Sequence, residues 1–172
     1  MKNFDQINNI SIRLKAMLLT LPAKIGTECV NFFKQSFRNQ GWTDTVFSPW
    51  AKRSPKAKRN AGRGILMDSG VLRNSIRISE ISQNSVTIGT DVPYAEIHNE
   101  GFDGMVTVKA HSRTSKSQNF NSKLFKSMKK IAMVKEHPKQ MRMPKRKFMG
   151  VSVALTNNIK ELIRNNIIKT LN

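Results

Sequence analysis

The residues with chemistry to offer are few in this 172-residue chain: three histidines (His98, His111, His137), one cysteine (Cys29), and Ser69 between Asp68 and Gly70. A structural zinc site needs Cys or His ligands in closely spaced pairs, and none of these has that spacing. A nucleophile elbow needs Gly-x-Ser-x-Gly, but Met67 stands two before Ser69. A hydrolase built on Ser69 and His98 therefore lacks its turn, and Asp68 reads as a turn or cap residue. Neither phosphate-binding glycine pattern, Gly-x-x-x-x-Gly-Lys-[Ser/Thr] or Gly-x-Gly-x-x-Gly, occurs. Asp91, Glu96, Glu100 and Asp103 could gather around a cation, yet they read better as the solvated face of a short helix and its flanks. The expectation is no catalytic residue, no metal, no cofactor and no small-molecule substrate.

Charge is the stronger signal. Lys and Arg number 30 against 11 Asp and Glu, a net +19. By segment the balance is +4 over 1–40, +5 over 41–63, −4 over 64–108, +12 over 109–147 and +2 over 148–172. Two dense segments of one sign imply an anionic partner, because like charges this close cannot be buried together. The first offers Lys52, Arg53, Lys56, Lys58, Arg59 and Arg63; the second offers Lys126, Lys129, Lys130, Lys145, Arg146 and Lys147. Only Phe120, Phe125 and Phe148 lie near the second, so a nucleic-acid contact would be to phosphate and non-specific in sequence. Such a nucleic-acid-binding module is the alternative to a purely structural role.

The elements that must carry these residues follow from periodicity. Phe4, Ile7, Ile10, Leu14, Met17, Leu18 and Leu21 recur at helical spacing behind Asn3. Pro22 should end or bend that helix, or open another in which Ile25, Cys29, Phe32, Phe33 and Phe37 continue the period towards Gly41. Residues 42–64 read as a basic loop hung from Trp42, Phe47 and Trp50. A short turn or helix follows around Ser69 to Asn74, and Ile76, Ile78, Val86 and Ile88 alternate with polar residues as a β-hairpin. Pro93 starts a short helix closed by Gly101, and Val106, Val108 and Ala110 mark a third strand. His111 to His137 is too long for a plain loop, and Leu124, Phe125, Met128, Ile131 and Ala132 share one face of a possible basic helix there. Val151, Leu155, Ile159, Leu162, Ile163, Ile167 and Leu171 mark a closing amphipathic helix. The fold class is α+β: one domain over 1–172, with a small antiparallel or mixed sheet flanked by terminal helices, a basic loop at 51–64 and a basic insertion at 111–137. With one cysteine, no membrane-length apolar run and no secretory pattern at Met1 to Asp5, the expected compartment is the cytoplasm, without a membrane partner.

Three stretches carry a family resemblance. The first runs from Trp50 through basic residues to Ile65-Leu66, Ser69-Gly70-x-Leu72 and Ser75-Ile76. The second is Ile88-Gly89-Thr90 followed by Tyr94-Ala95-x-Ile97-His98-x-x-Gly101. The third is Pro144-x-Arg146-x-Phe148-Met149-Gly150. In this order they resemble the virion morphogenesis, or tail completion, proteins of Mu-like and related contractile-tailed bacteriophages. The resemblance implies a non-enzymatic protein that forms a homo-oligomeric ring, finishes the tail and joins it to the head. It also implies other tail or neck proteins as partners, with assembly in the host bacterial cytoplasm and a final place in the virion. Lys145 and Lys147 make the third stretch more basic than the family leads one to expect. Physically, Leu66, Leu72, Ile76, Tyr94, Ile97 and Phe148 suit a shared core, Gly70, Gly101 and Gly150 suit turns or helix ends, and His98 suits the capping of a free helix carbonyl, the alternative being a place against a neighbouring subunit.

Overall fold

The computed structural model describes residues 2–53, 62–116 and 129–171. The elements run α1 (Lys2–Asn39), β1 (Gly41–Thr43), β2 (Phe47–Pro49), α2 (Val71–Ser75), β3 (Arg77–Ile81), β4 (Val86–Gly89), α3 (Ala95–Glu100), β5 (Phe102–Val108), β6 (His111–Lys116), β7 (Lys129–Val134), β8 (His137–Met143) and α4 (Val153–Leu171). The class is α+β, and every strand pairing among the described residues is antiparallel. The chain divides into two compact units, Met1–Gly101 with Pro144–Asn172, and Phe102–Met143.

In the first unit α1 is a single helix of 38 residues that runs through Pro22, where the sequence predicts an end or a bend. Pro22 removes one backbone donor and crowds the carbonyl four residues earlier, at a cost of about 3 kcal/mol. Packing offsets that cost: Met17, Cys29, Phe33 and Phe37 lie buried on either side of it. The core joins Cys29, Phe33 and Phe37 of α1 to Trp42, Trp50, Leu72, Ile76, Ala95, Phe148 and Leu155. Phe37 meets Trp50 edge-on at 5.4 Å and Phe148 at 5.1 Å, while Phe33 stacks on Trp42 at 6.2 Å. Such ring pairs contribute about 0.5–1.5 kcal/mol each beyond the area they bury.

Glycine lets the β3–β4 hairpin approach α1. A β-carbon at Gly26 would stand 2.7 Å from Ile78 Cδ1 and 2.8 Å from Val86 Cγ2. The start of α4 is fixed by three polar groups. Ser152 Oγ accepts the Leu155 N–H at 3.2 Å and donates to the Thr43 carbonyl at 2.8 Å, while Asp44 Oδ1 accepts the Val153 N–H at 2.7 Å. Together they satisfy helix donors that otherwise have no partner.

The second unit is a two-stranded ribbon in two stretches. β5 pairs with β8 from Phe102↔Met143 to Val108↔His137, and β6 pairs with β7 from His111↔Val134 to Lys116↔Lys129. Burial alternates along β5, with Phe102, Gly104, Val106 and Val108 half-buried and Asp103, Met105 and Thr107 exposed. This corrects the helix expected near 123–132: Ile131 and Ala132 lie in strand β7, and the rest of that stretch up to Met128 lies outside the described residues. The ribbon also lengthens the expected third strand and takes in His137 to Met143, for which the sequence predicts no strand. Helical spacing among apolar residues cannot reveal cross-strand partners such as Thr114 for Ile131 and Arg113 for Ala132.

Candidate functional site

The three motif stretches meet in the first unit. Trp50, Leu72, Ile76, Ala95 and Phe148 share one buried cluster, with Leu66 and Met149 packed against it. Trp50 fastens two of the stretches: its backbone N–H reaches the Gln40 carbonyl at 2.9 Å, and its indole N–H donates to the Lys147 carbonyl at 2.8 Å. The Arg146 N–H donates to the His98 carbonyl at 2.8 Å, which ties the end of α3 to the third stretch.

Two side chains without a sequence signal hold this junction. Asn99 Oδ1 accepts the N–H groups of Phe148 at 2.9 Å and Met149 at 3.0 Å, and its amide donates to the Met149 carbonyl at 3.2 Å. Gln40, in the left-handed region at φ 57°, donates to the Phe37 and Ile65 carbonyls and accepts the Ile65 N–H. Both act on backbone distant in sequence, so only the fold reveals them.

Other motif residues divide by role. Gly70 precedes α2 at φ 75° and Gly101 follows α3 at φ 80°, conformations that side-chain-bearing residues rarely adopt, and Gly150 sits at φ 134°. Gly89 closes β4 in ordinary extended backbone. Ile97 and Leu66 are half-buried, and Leu66 itself has φ 59°. Tyr94 is a correction: placed in the shared core by the sequence reading, it is 44% exposed and meets the His98 ring edge-on at 5.8 Å. Pro144 begins the return segment.

Asp68, Ser69, Tyr94 and His98 line one depression of about 160 Å³. Its parts are not wired for nucleophilic catalysis among the described residues. Asp68 is paired with Arg63 at 2.6 Å, Ser69 Oγ accepts the Val71 N–H, and the buried His98 Nδ1 has no partner among the described residues. The expected capping of a helix carbonyl by this ring is not seen among the described residues. Burial first, and then the charge of Arg146, hold the His98 imidazole below the usual histidine range.

The cations divide as well. Arg53 donates to the Arg63 and Gly64 carbonyls at 2.8 and 2.6 Å, and Arg63 pairs with Asp68. Arg146 is buried and donates to the Ala51 carbonyl at 3.2 Å. Lys145 pairs with Glu100 at 2.8 Å, and Lys147 lies 4.7 Å over the Trp42 ring. Lys52 is exposed. Lys129 and Lys130 stand in β7, while Lys56, Lys58, Arg59 and Lys126 lie outside the described residues. Five cations expected to meet a polyanion thus also have partners within the chain. The acidic stretch is engaged too: Asp91 pairs with Arg77 and Asp103 with Arg142, alongside Asp68 and Glu100. Hydrogen bonds from Lys145 and Arg142 hold Glu100 and Asp103 below the usual carboxylate range.

The three separated stretches thus meet in one buried junction. A family model described as the phage virion morphogenesis family matches residues 3–167. The chain belongs to that family. No curated protein and no solved structure matches it. This virion morphogenesis protein therefore has a role in phage virion assembly. Among its described residues no helix is long and apolar enough to cross a membrane, and no cluster of three His, Cys, Asp or Glu is placed to hold a metal.

Proposed function

We propose that this virion morphogenesis protein acts in tail completion and head-tail joining, as a homo-oligomeric ring that contacts other tail or neck proteins. It assembles in the host cytoplasm and remains in the virion. The observation that carries this reading is a set of exposed apolar side chains on the terminal helices. Ile7, Ile12, Leu18 and Leu19 of α1 are 56–68% exposed, and Ile168 and Leu171 of α4 are each 50% exposed. A groove of about 730 Å³ is lined by Leu18 and Leu19 together with Pro22, Ile25 and Val86. Single exposed apolar residues are ordinary, and six of them on two helices, two beside a groove, supply area that a subunit contact can bury. In this reading apolar burial supplies the subunit contact.

Light scattering and negative-stain imaging test it. Wild type is expected to form a ring, and Ile12→Asp combined with Leu19→Asp is expected to dissociate it with unchanged circular dichroism. A wild-type chain that stays monomeric at tens of micromolar and binds no tail or neck protein would sink the proposal.

A further inference from the structure

The ribbon supplies a separate surface. Residues 109–135 contain eight Lys or Arg and no Asp or Glu. Six of these occupy described positions on the ribbon: Lys109, Arg113, Lys116, Lys129, Lys130 and Lys135. The register sets Lys116 opposite Lys129, and Ser115 opposite Lys130. A stretch with eight cations and no acid attracts an anionic partner.

We infer that the β6–β7 ribbon binds duplex DNA through its phosphate backbone. A second copy of the chain is a poor counterpart, because each copy carries +19. Four of its six acidic residues in 64–108 are already paired internally, leaving Glu80 and Glu96 without ion pairs among the described residues. An acidic protein fits less well than DNA. Protein interfaces are depleted in Lys and enriched in aromatic rings, whereas seven of the eight cations here are Lys. A two-stranded ribbon also matches the width of the major groove, and flexible ammonium groups suit phosphates spaced along a backbone. Binding of this kind is indifferent to sequence and steeply dependent on salt, since each neutralised phosphate releases counterions.

The test uses the full chain and a duplex of about 30 base pairs of arbitrary sequence, long enough to cover several phosphates on both strands, with fluorescence anisotropy at several salt concentrations. Lys109→Gln, Arg113→Gln, Lys130→Gln and Lys135→Gln together form the ribbon variant. Lys15→Gln, Arg38→Gln, Lys160→Gln and Arg164→Gln remove equal charge from the helices. The ribbon variant is expected to bind about 100-fold or more weakly at about 0.1 M salt, and its salt slope should fall by about 0.9 for each phosphate it no longer neutralises. The helix variant should weaken less than about tenfold. In the wild-type chain, DNA should shield Lys109, Lys130 and Lys135 from acetylation but leave Lys160 reactive, a readout that needs no variant to fold. Equal weakening of the two variants, no shielding of the ribbon lysines, or polyglutamate bound as tightly as DNA would overturn the inference. Light scattering on the same variants reads subunit association separately, so the ring and the DNA contact can fail independently.

Discussion

At the scale of single residues, the most exacting position is Asn99. Its carboxamide satisfies two backbone donors of the third stretch and one acceptor, beside the fully buried ring of Phe148. Asn99→Ala leaves those donors without a partner in a desolvated setting, and each such loss costs about 1–3 kcal/mol. Urea unfolding should show a fall of about 2–4 kcal/mol, with Asn99→Asp milder because it keeps the accepting oxygen. His98 gives a prediction in pH. Its folded pKa lies below its ordinary value of 6.5, so the unfolded chain takes up this proton first as the medium acidifies. The stability it contributes is complete above pH 6.5 and is lost as pH falls from there through the folded pKa. Glu100 and Asp103, also depressed, act in the same direction at lower pH. Denaturant midpoints between about pH 7 and about pH 5 should therefore decline in wild type and decline less in His98→Gln. Equal slopes would remove His98 from the account.

Among the elements, α4 depends on its first turn. Ser152 is 1% exposed, and one hydroxyl both caps the helix and binds the Thr43 carbonyl. Ser152→Ala should cost about 1–2 kcal/mol, the upper range for a lost cap, because the Thr43 acceptor is stranded as well. The contact between α1 and the β3–β4 hairpin hangs on Gly26, where even a methyl group meets Ile78 and Val86 at 2.7 and 2.8 Å. Overpacking of this kind costs about 1–3 kcal/mol, so Gly26→Val should lower the thermal midpoint and broaden hairpin resonances in a methyl spectrum. An unchanged spectrum would mean that the hairpin slides freely along the helix.

Across the whole molecule, the two units should differ in local stability. The first has a ten-residue buried core, whereas His111 to Thr114 of β6 and Ile131 to Met133 of β7 are exposed and a two-stranded ribbon has two open edges. Hydrogen exchange should be slowest in α1 from Cys29 to Phe37 and faster by orders of magnitude in β6 and β7, with DNA slowing the ribbon selectively. Uniform exchange across both units would contradict this division.

Much of the scaffold is legible in the residue order alone. Apolar spacing marks both terminal helices, alternation at Ile76, Ile78, Val86 and Ile88 marks the β3–β4 hairpin, and the charge count locates the basic stretch, because each of these signals is written in neighbouring residues. The family resemblance likewise rests on local clusters around Gly70, His98 and Phe148. What only tertiary structure decided was partnership. Whether Arg53, Lys145, Arg146 and Lys147 would face a ligand or the fold depended on carbonyls, a carboxylate and a ring brought from elsewhere in the chain. Leu124, Phe125, Met128, Ile131 and Ala132 have a helical period on paper, yet Ile131 and Ala132 enter a strand because β6 offers a backbone ladder there. Periodicity records what a segment can do alone; the hydrogen bonds and buried contacts that select one option come from distant residues, which local sequence does not encode.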